Sequence, residues 1–493
     1  MKLYLGADLG TSAIKITLAD EKGNVLSSLE ETYPLNFPKP GYSQQNPEDW
    51  YNAFIRGIKK ILSGYSPQDV RSIAIDGQMH GLVALDKENN VVYPAILWND
   101  SRSFKESDEI NETIGIQQLI EETGNISYPG FTASKILWLQ KNEPLIFASI
   151  THIMLPKDYL VFRLTGKYST DYSDACGTLL LNTKEHLWSK KMLDFCQIKE
   201  NMLPTLHYSA EKIANIRTEI AEDLGLSPSC FVLAGSGDNA GAAISLGVIK
   251  QGQCSISLGT SGTIFIPSDS FHCDSQGAIH AFNCYNEKYC LLACALTSAS
   301  SLKWLNENIF MTSDFTSEQN KITDFDLGKN TVFFLPYLMG ERSPINDPFA
   351  RAVFFGLDMS SSRKEMTQAV MEGVCFSLKD SLNRINSMSV FPSSARVTGG
   401  GSKSKLWLKM LANILNLKLE ILENENGPSY GMILLSLVED GIYSSLEEAV
   451  STNLKIKETI FPNPDLVSLY QNKYEIFSEI YPAVARINNK NVK

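Results

Sequence analysis

The sequence lacks the features of a membrane-spanning or nucleic-acid-binding protein. It contains no uninterrupted apolar run of the roughly 18 residues that a spanning helix needs. Lys and Arg (44) are outnumbered by Asp and Glu (55), which gives a formal charge of −11. Because nucleic acids and anionic membranes bind clustered positive charge, the composition argues against both partners. Asp8 interrupts the apolar start where a signal peptide would need unbroken apolar sequence, so we expect a cytoplasmic protein.

Cysteine and lysine motifs for metals and nucleotides are also missing. The nine cysteines form no C-x-x-C pair, and Cys290 and Cys294, four residues apart, have no accompanying histidine. This pattern favours small buried side chains over structural zinc or disulfides. The Gly-Lys pairs at 166–167 and 328–329 lack the Ser/Thr and the upstream glycine of a P-loop. A nucleotide, if bound, must therefore be held by other glycine turns.

One four-residue sequence occurs twice, about half a chain apart. Leu-Gly-Thr-Ser stands at 9–12 and again at 258–261, each time between two apolar stretches typical of strands. A match this short can arise by chance, but the shared strand–turn–strand context favours an internal duplication. Strand and helix patterns alternate along the rest of the chain, which predicts an α/β protein. We predict two domains, residues 1–246 and 247–493, with both turns at one cleft.

The Gly-Thr-Ser turns could bind phosphate groups. Such a turn presents backbone N–H groups and hydroxyls without bulky side chains, although a plain hairpin turn has the same sequence. Asp8 precedes the first turn and Lys15 follows it. A carboxylate beside a phosphate site suits a hard cation such as Mg²⁺ between them. Ser257 stands in the place of Asp8 in the second copy, so the two halves have diverged.

A glycine-rich segment at 235–240 matches the dinucleotide-binding pattern G-x-G-x-x-A. We reject that interpretation because Asp238 would lie where the pyrophosphate should bind, and no acidic residue follows about twenty positions later. Asp238 could cap the following helix, or it could act as a general base.

Two further segments allow a structural or a functional interpretation. The glycines at 399–401 follow a strand pattern and precede a helix pattern, so they are a flexible connection or backbone that contacts a base or phosphate. His80, within Gln-Met-His-Gly, is either structural or a neutral hydrogen-bonding partner of a polyol.

Taken in order, these motifs resemble the FGGY family of sugar kinases, within the actin/Hsp70/hexokinase superfamily. The resemblance covers nearly the whole chain and rests on GADLGTS (6–12), DGQMHGLVALD (76–86), AILWND (95–100), PGFTASKILWL (129–139), LPKDYL (155–160), GSGDNAGAA (235–243), SLGTSG (257–262), FLPYLMGERSP (334–344), VFFGL (353–357) and TGGGSKSKLW (398–407). QMHG together with GDNA is typical of the xylulokinase branch of the family.

The resemblance implies a two-domain α/β, ribonuclease H-like fold of the actin/Hsp70/hexokinase type, whose interdomain cleft closes on ATP and an open-chain ketose. The implied reaction is ATP-dependent phosphorylation of D-xylulose to D-xylulose 5-phosphate, and the family suggests a homodimer. A kinase for another ketose or polyol, and a sugar or nucleotide sensor without turnover, are the alternatives. An intact Asp8, Asp238 and QMHG argue against the sensor, since a binding protein needs no base.

The resemblance also assigns roles to individual residues. Asp238 would be the general base that takes the proton from the terminal hydroxyl of the sugar, and Asp8 would orient Mg²⁺ through water. The other implied contacts are Met79, His80, Asp238 and Asn239 with the sugar, Thr11, Lys15, Gly259 and Thr260 with phosphates, and Gly400, Gly401 and Ser404 with the nucleoside. A loose phosphoryl-transfer transition state needs no strong base, so we expect a carboxylate with an ordinary pKa near 3.9 to suffice.

The chain departs from the family pattern in three places. It reads GPSYGMI at 427–433 where the family usually has G-P-A-x-G-A-A, which predicts a changed fit around adenine or changed helix packing behind it. Asp76 stands where the family tends to carry a small residue, and an extra carboxylate there predicts a shifted substrate preference. Ser134 replaces a frequent proline, which we interpret as harmless.

Overall fold

The structure, a computed structural model, describes residues 1–491 and contains two large sheets with helices packed on them. The N-terminal half contains strands β1 (Leu3–Leu9), β2 (Ala13–Asp20), β3 (Val25–Thr32), β4 (Gln44–Gln45), β5 (Val70–Gly77), β6 (Val83–Leu85), β7 (Ala95–Ile96), β8 (His152–Met154), β9 (Ser169–Asp171), β10 (Leu181–Asn182), β11 (Leu187–Trp188), β12 (Thr205–His207), β13 (Lys212–Asn215), β14 (Phe231–Leu233) and β15 (Ser236–Gly237). Its helices are α1 (Pro47–Ile61), α2 (Phe104–Ile114), α3 (Ile116–Thr123), α4 (Thr132–Asn142), α5 (Pro144–Ser149), α6 (Pro156–Thr165), α7 (Tyr172–Ala175), α8 (Lys190–Cys196), α9 (Thr218–Leu224) and α10 (Asp238–Ser245).

The C-terminal half contains strands β16 (Gln253–Leu258), β17 (Gly262–Ser268), β18 (His280–Asn283), β19 (Tyr289–Ala295), β20 (Phe333–Leu335), β21 (Val353–Phe355), β22 (Ser394–Thr398), β23 (Lys418–Leu422) and β24 (Ile456–Ile460). Its helices are α11 (Ala299–Trp304), α12 (Phe315–Gln319), α13 (Arg363–Asn386), α14 (Lys405–Leu415), α15 (Pro428–Glu439), α16 (Leu446–Asn453) and α17 (Pro464–Asn491). The predicted end of the second domain at residue 493 lies outside the described residues.

The two large sheets share one topology. In the N-terminal sheet the order is β13-β14-β5-β1-β2-β3, where β2 is antiparallel and β5 parallel to β1. In the C-terminal sheet the order is β18-β19-β17-β16-β22-β23-β24, where β17 is antiparallel and β22 parallel to β16. The turn at 9–12 joins β1 to β2, and the turn at 258–261 joins β16 to β17. Both turns therefore occupy the same place in their sheets, as the predicted duplication requires.

Local sequence signals account for the elements nearest the cleft. Helix α1 begins after Asn46, whose side chain accepts the backbone N–H of Glu48 at 3.2 Å. Proline at the first helical position and acidic residues in the first turn complete a favourable N-terminus. The buried strand β5 ends at Gly77.

The halves are joined by close contact of α15 with β1 and α10. A Cβ at Gly6 would lie 1.9 Å from the Ser429 carbonyl oxygen, and one at Gly431 would lie 2.4 Å from the Gly241 carbonyl oxygen. No side chain fits at either position without moving backbone. These glycines allow α15 to approach both the N-terminal sheet and α10 directly.

Side chains of the 427–433 segment are buried against the N-terminal half. Tyr430 donates its hydroxyl hydrogen bond to the Gly23 carbonyl oxygen at 2.8 Å, and Met432 accepts one from Ser236 at 3.8 Å. Both side chains are almost fully buried. These contacts place the segment within the packing of α15 against the N-terminal half, and a changed fit around adenine stays a prediction.

The cysteines are free, and all are buried except Cys273 and Cys294, which are half-buried. Among the helices of residues 1–491, none is long and apolar enough to cross a bilayer.

Candidate functional site

Three carboxyl groups converge at the ends of neighbouring strands of the N-terminal sheet. Asp8 near the end of β1 pairs in register with Asp76 of β5, which in turn pairs with Ser236 of β15. Asp238 begins α10 directly after β15. Asp76 is fully buried, and its carboxyl donates a hydrogen bond to the neighbouring Asp8 carboxylate. Burial and the charges of Asp8 and Asp238 raise the Asp76 pKa well above its ordinary value, so Asp76 is the neutral member of the group.

The Asp238 carboxyl is the member placed to accept a proton near neutral pH. Burial, together with the charge of Asp8, raises the Asp238 pKa to about 7. Hydrogen bonds from the backbone and side-chain N–H groups of Asn239, at 2.6 and 2.7 Å, oppose this shift only in part. The expectation of an ordinary pKa near 3.9 is therefore wrong, because it ignored the desolvation produced by packing. A pKa near the working pH suits a general base.

The raised Asp238 pKa predicts a pH-dependent activity. The carboxylate form is the base, so kcat/KM for the sugar should fall as the pH drops through about 7 rather than through about 4, the value for an exposed aspartate. The measurement is a pH profile of kcat/KM at saturating nucleotide. An acidic limb near the ordinary aspartate pKa would contradict this prediction.

A buried polar chain fixes the backbone that leads into α10. The ammonium group of Lys157, fully buried, lies 2.7 Å from Asp158 and 3.0 Å from Asp171. Ser173 donates its hydroxyl hydrogen bond to Asp171 at 2.5 Å and accepts the backbone N–H of Gly237 at 3.0 Å. A buried network of ion pairs and hydrogen bonds thus fixes the start of α10.

His80 presents a hydrogen-bond acceptor to the cleft. Its Nδ1 lies 2.6 Å from the Gly177 carbonyl oxygen, so Nδ1 carries the proton and donates, which leaves Nε2 as the acceptor. Burial lowers the His80 pKa to about 3, so the ring is neutral. The Phe131 ring packs 4.7 Å from the imidazole, and the buried Lys135 ammonium donates to the His80 carbonyl oxygen at 2.8 Å. Together these contacts hold His80 at its left-handed φ of 69°.

Met79 and Asn239 complete the group of residues predicted to contact sugar. The Asn239 side-chain nitrogen lies 3.8 Å from the Met79 sulfur. A Cβ at Gly237 would lie 3.0 Å from the Met79 Cγ, which explains the glycine there. Met79, Asn239 and the start of α10 are therefore in direct contact. The structure brings the four predicted sugar-contacting residues together at one place.

The first predicted phosphate turn is held by residues of the N-terminal half, and Lys15 beside it contacts the C-terminal half. The Thr11 hydroxyl accepts a hydrogen bond from the Trp98 indole at 3.0 Å, and the Thr11 carbonyl oxygen accepts one from Gln45 at 2.8 Å. Lys15 donates to the Asn426 carbonyl oxygen of the C-terminal half at 3.0 Å. Its ammonium group thus lies where the two halves meet.

The second predicted phosphate turn lies against the glycine-rich loop. The carbonyl oxygens of Gly259 and Thr260 accept the backbone N–H groups of Ala299 and Ser298 at 2.8 and 3.0 Å. Gly399 has a φ of 90°, and a Cβ there would lie 2.8 Å from the Gly259 nitrogen. Only glycine permits this approach. The second turn and the three-glycine loop therefore form one continuous backbone surface.

The residues predicted to lie at the nucleoside differ in how accessible they are. A Cβ at Gly400 would meet nothing within 4 Å, whereas Gly401 is buried. Ser404 caps α14 by accepting the Trp407 N–H at 3.3 Å, and it donates to Gln319 at 2.7 Å. Gly400 is open to a ligand, and the Ser404 hydroxyl already has two protein partners.

Arg342 is a cleft residue to which the sequence analysis gave no role. Its guanidinium carbon lies 5.2 Å from the centre of the Tyr128 ring, which packs 5.8 Å from Phe131 beside His80. The motif at 334–344 was recognised from the sequence, but nothing in it indicates which residue reaches the opposite half.

With this geometry established, comparison with known proteins decides the family. The profile for the N-terminal domain of the FGGY family of carbohydrate kinases matches residues 3–245, and the profile for its C-terminal domain matches residues 254–439. The chain belongs to the FGGY family of carbohydrate kinases. It is therefore a kinase that uses ATP as cosubstrate.

Similar proteins of this family are known from several bacteria. The xylulose kinase of Escherichia coli (strain K12) is 36% identical over 481 residues, covering 97% of this chain and 98% of that protein. The crystal structure of a ligand-bound xylulose kinase from Lactobacillus acidophilus is 28% identical with a TM-score of 0.94, covering 99% of this chain and 100% of that one. A gluconate kinase from the same organism is 27% identical with a TM-score of 0.94, covering 99% of both chains. The predicted fold class is confirmed.

Proposed function

We propose that this FGGY kinase transfers the γ-phosphoryl group of ATP to the terminal hydroxyl of D-xylulose, giving D-xylulose 5-phosphate. The observation that carries the proposal is the half-buried Asp238 carboxyl, with a pKa of about 7, in contact with Asn239 and next to Met79. The similarity to xylulose kinases over nearly the whole chain supports the choice of sugar.

The geometry suggests a division of labour within the cleft. Asp238 accepts the proton of the attacking hydroxyl, late in a loose transition state. The neutral His80 accepts a hydrogen bond from another hydroxyl of the sugar through Nε2. Backbone N–H groups of the turns at 9–12 and 258–261, with Lys15, bind the phosphates. Closure of the halves would exclude water, which otherwise competes as the acceptor.

The donor set near Asp8 fits Mg²⁺ carried by the nucleotide. No group of three or more His, Cys, Asp or Glu in residues 1–491 is arranged to hold a metal ion by itself. Mg²⁺ is usually bound by one or two carboxylates, waters and substrate phosphates rather than by a protein cage. Asp8 at the end of β1 would hold the ion through water, and the ion supplies charge neutralisation between the phosphates.

A kinase for another sugar of the family is the second candidate, favoured by Asp76. This carboxyl is fully buried and donates a hydrogen bond to the Asp8 carboxylate beside it. A neutral carboxyl can donate a hydrogen bond that the small residue common in the family cannot.

A substrate panel tests the proposal. ADP release should be fastest with D-xylulose among D-xylulose, D-ribulose, L-ribulose, L-fuculose, glycerol and D-gluconate. Turnover of D-xylulose no better than the background without sugar would refute it. A clear preference for another member of the panel would support the second candidate. No turnover with any sugar would instead point to a sensor.

Assembly and location follow the same proposal. We expect a homodimer in the cytoplasm that does not bind nucleic acid, in line with the formal charge of −11. Light scattering of the purified protein measures the assembly.

A further inference from the structure

Arg342 places an unpaired positive charge in the cleft. Its guanidinium has no hydrogen-bond or ion-pair partner among the described residues, although the side chain is half-buried. The neighbouring Glu341 is no partner, because its carboxyl accepts the backbone N–H groups of Leu296 and Arg342, both at 2.8 Å. Five N–H donors on one guanidinium therefore remain for a ligand.

The position of Arg342 indicates that its ligand is the sugar rather than the phosphates of the nucleotide. Its guanidinium packs on the Tyr128 ring, which contacts the rings of His280 and Phe131, and Phe131 in turn packs against His80. Lys15, beside the first phosphate turn, is instead the positive charge that favours ionised Asp8. Arg342 thus lies at the His80 end of the site.

A ligand at this end lies between Arg342 and the candidate base. Met79, the residue before His80, contacts the Asn239 side chain, which donates a hydrogen bond to Asp238. A chain of side-chain contacts therefore runs from Arg342 through the rings beside His80 to the candidate base. A sugar whose terminal hydroxyl contacts Asp238 would extend its other end toward the guanidinium.

We propose that Arg342 is a specificity-determining residue that binds the oxygen atoms at the carbonyl end of the open-chain sugar, remote from the hydroxyl that is phosphorylated. This inference rests on the proposed function. A guanidinium fork donates two parallel hydrogen bonds, which suits the C2 carbonyl oxygen and the adjacent C1 hydroxyl of a ketose. Because Arg342 comes from the C-terminal half and His80 from the N-terminal half, a bound ketose would link the two.

The test compares Arg342→Met and Arg342→Lys with a matched control, Arg351→Met. Arg351 is also half-buried, but its guanidinium donates to the carbonyl oxygens of Pro348 and Ala350, at 3.1 and 2.7 Å. For Arg342→Met we expect about 10- to 100-fold weaker binding of D-xylulose, measured by calorimetry without nucleotide, and a matching rise in its KM. The KM for ATP should not change. The D-xylulose affinity of Arg342→Lys should lie between those of wild type and Arg342→Met, because lysine keeps the positive charge but lacks the two parallel N–H donors of arginine.

Substrate selectivity and nucleotide affinity provide the outcomes that would overturn the inference. Arg342→Met should lose preference for D-xylulose over xylitol, the same carbon chain without the carbonyl. Unchanged selectivity, an unchanged KM for D-xylulose, or a raised KM for ATP with unaltered sugar binding would each refute the role. If the wild type prefers another ketose, the same comparison with that ketose and its polyol decides the role of Arg342, and only the D-xylulose assignment fails.

Discussion

Asp238→Asn should reduce kcat for sugar phosphorylation by about 10³-fold, within the range for loss of a general acid or base. The substitution removes the proton acceptor but keeps an oxygen that can accept the two Asn239 hydrogen bonds. We therefore expect a folded protein with nearly unchanged sugar affinity. The measurements are kcat by ADP release and the dissociation constant of D-xylulose by calorimetry.

An exposed aspartate supplies the matched control for this experiment. Asp223→Asn makes the same chemical change on α9, where the carboxylate pairs with Lys59 at 2.9 Å at the surface. This variant should keep wild-type kcat. Full activity in Asp238→Asn would remove Asp238 as the base, whereas a lost sugar affinity with unchanged kcat would make it a binding residue only.

Local sequence patterns sufficed for the parts of the site built from consecutive residues. The apolar runs before and after the repeated Leu-Gly-Thr-Ser sequence predicted β1, β2, β16 and β17, and the equal placement of the two turns followed from their shared context. The glycines at 399–401 were recognisable as a strand-to-helix junction because they follow a strand pattern and precede a helix pattern.

Properties that depend on packing between distant segments could not be predicted this way. The pKa of Asp238 is set by burial and by the charge of Asp8, which is 230 positions away in the sequence. A local sequence motif therefore cannot predict this pKa. Arg342 stands in a recognised motif, but its approach to Tyr128 depends on how the two halves meet. Met432 departs from the family pattern, and only the structure shows that its sulfur accepts a hydrogen bond from Ser236.

Sequence similarity and site geometry constrain different parts of the function. Similarity to xylulose kinases supports phosphoryl transfer from ATP to a ketose. The geometry of the cleft separates two tasks of that reaction. Its acidic end, at Asp8 and Asp238, suits removal of a proton and a metal-bound nucleotide. Its other end, at His80 and Arg342, offers an acceptor and a donor for neutral oxygens of a sugar. The formal charge of −11 is therefore compatible with an anionic cosubstrate, because the binding groups are local.

Lys157→Met should destabilise the protein by about 3–5 kcal/mol, the usual cost of removing one partner from a buried ion pair. The variant leaves the carboxyls of Asp158, Asp171 and Asp174 buried without their cation. The free energy of unfolding, from urea titration, measures the loss. Lys59→Met, which breaks a one-to-one surface pair with Asp223, is the control and should cost under about 1 kcal/mol.

Two further measurements separate a charge effect from simple loss of packing. Without Lys157, the buried carboxyls should have pKa values in the folded state above those in the unfolded state, so the folded state binds more protons. The loss in free energy of unfolding relative to wild type should therefore be smaller at about pH 5 than at about pH 8. The double variant Lys157→Met/Asp171→Asn should recover part of the stability because it removes one of the unpaired charges. Because Asp171 also holds Ser173, which accepts the N–H of Gly237 before α10, kcat should fall in both variants. A deficit that does not depend on pH, without recovery in the double variant, would show that Lys157 contributes through packing alone.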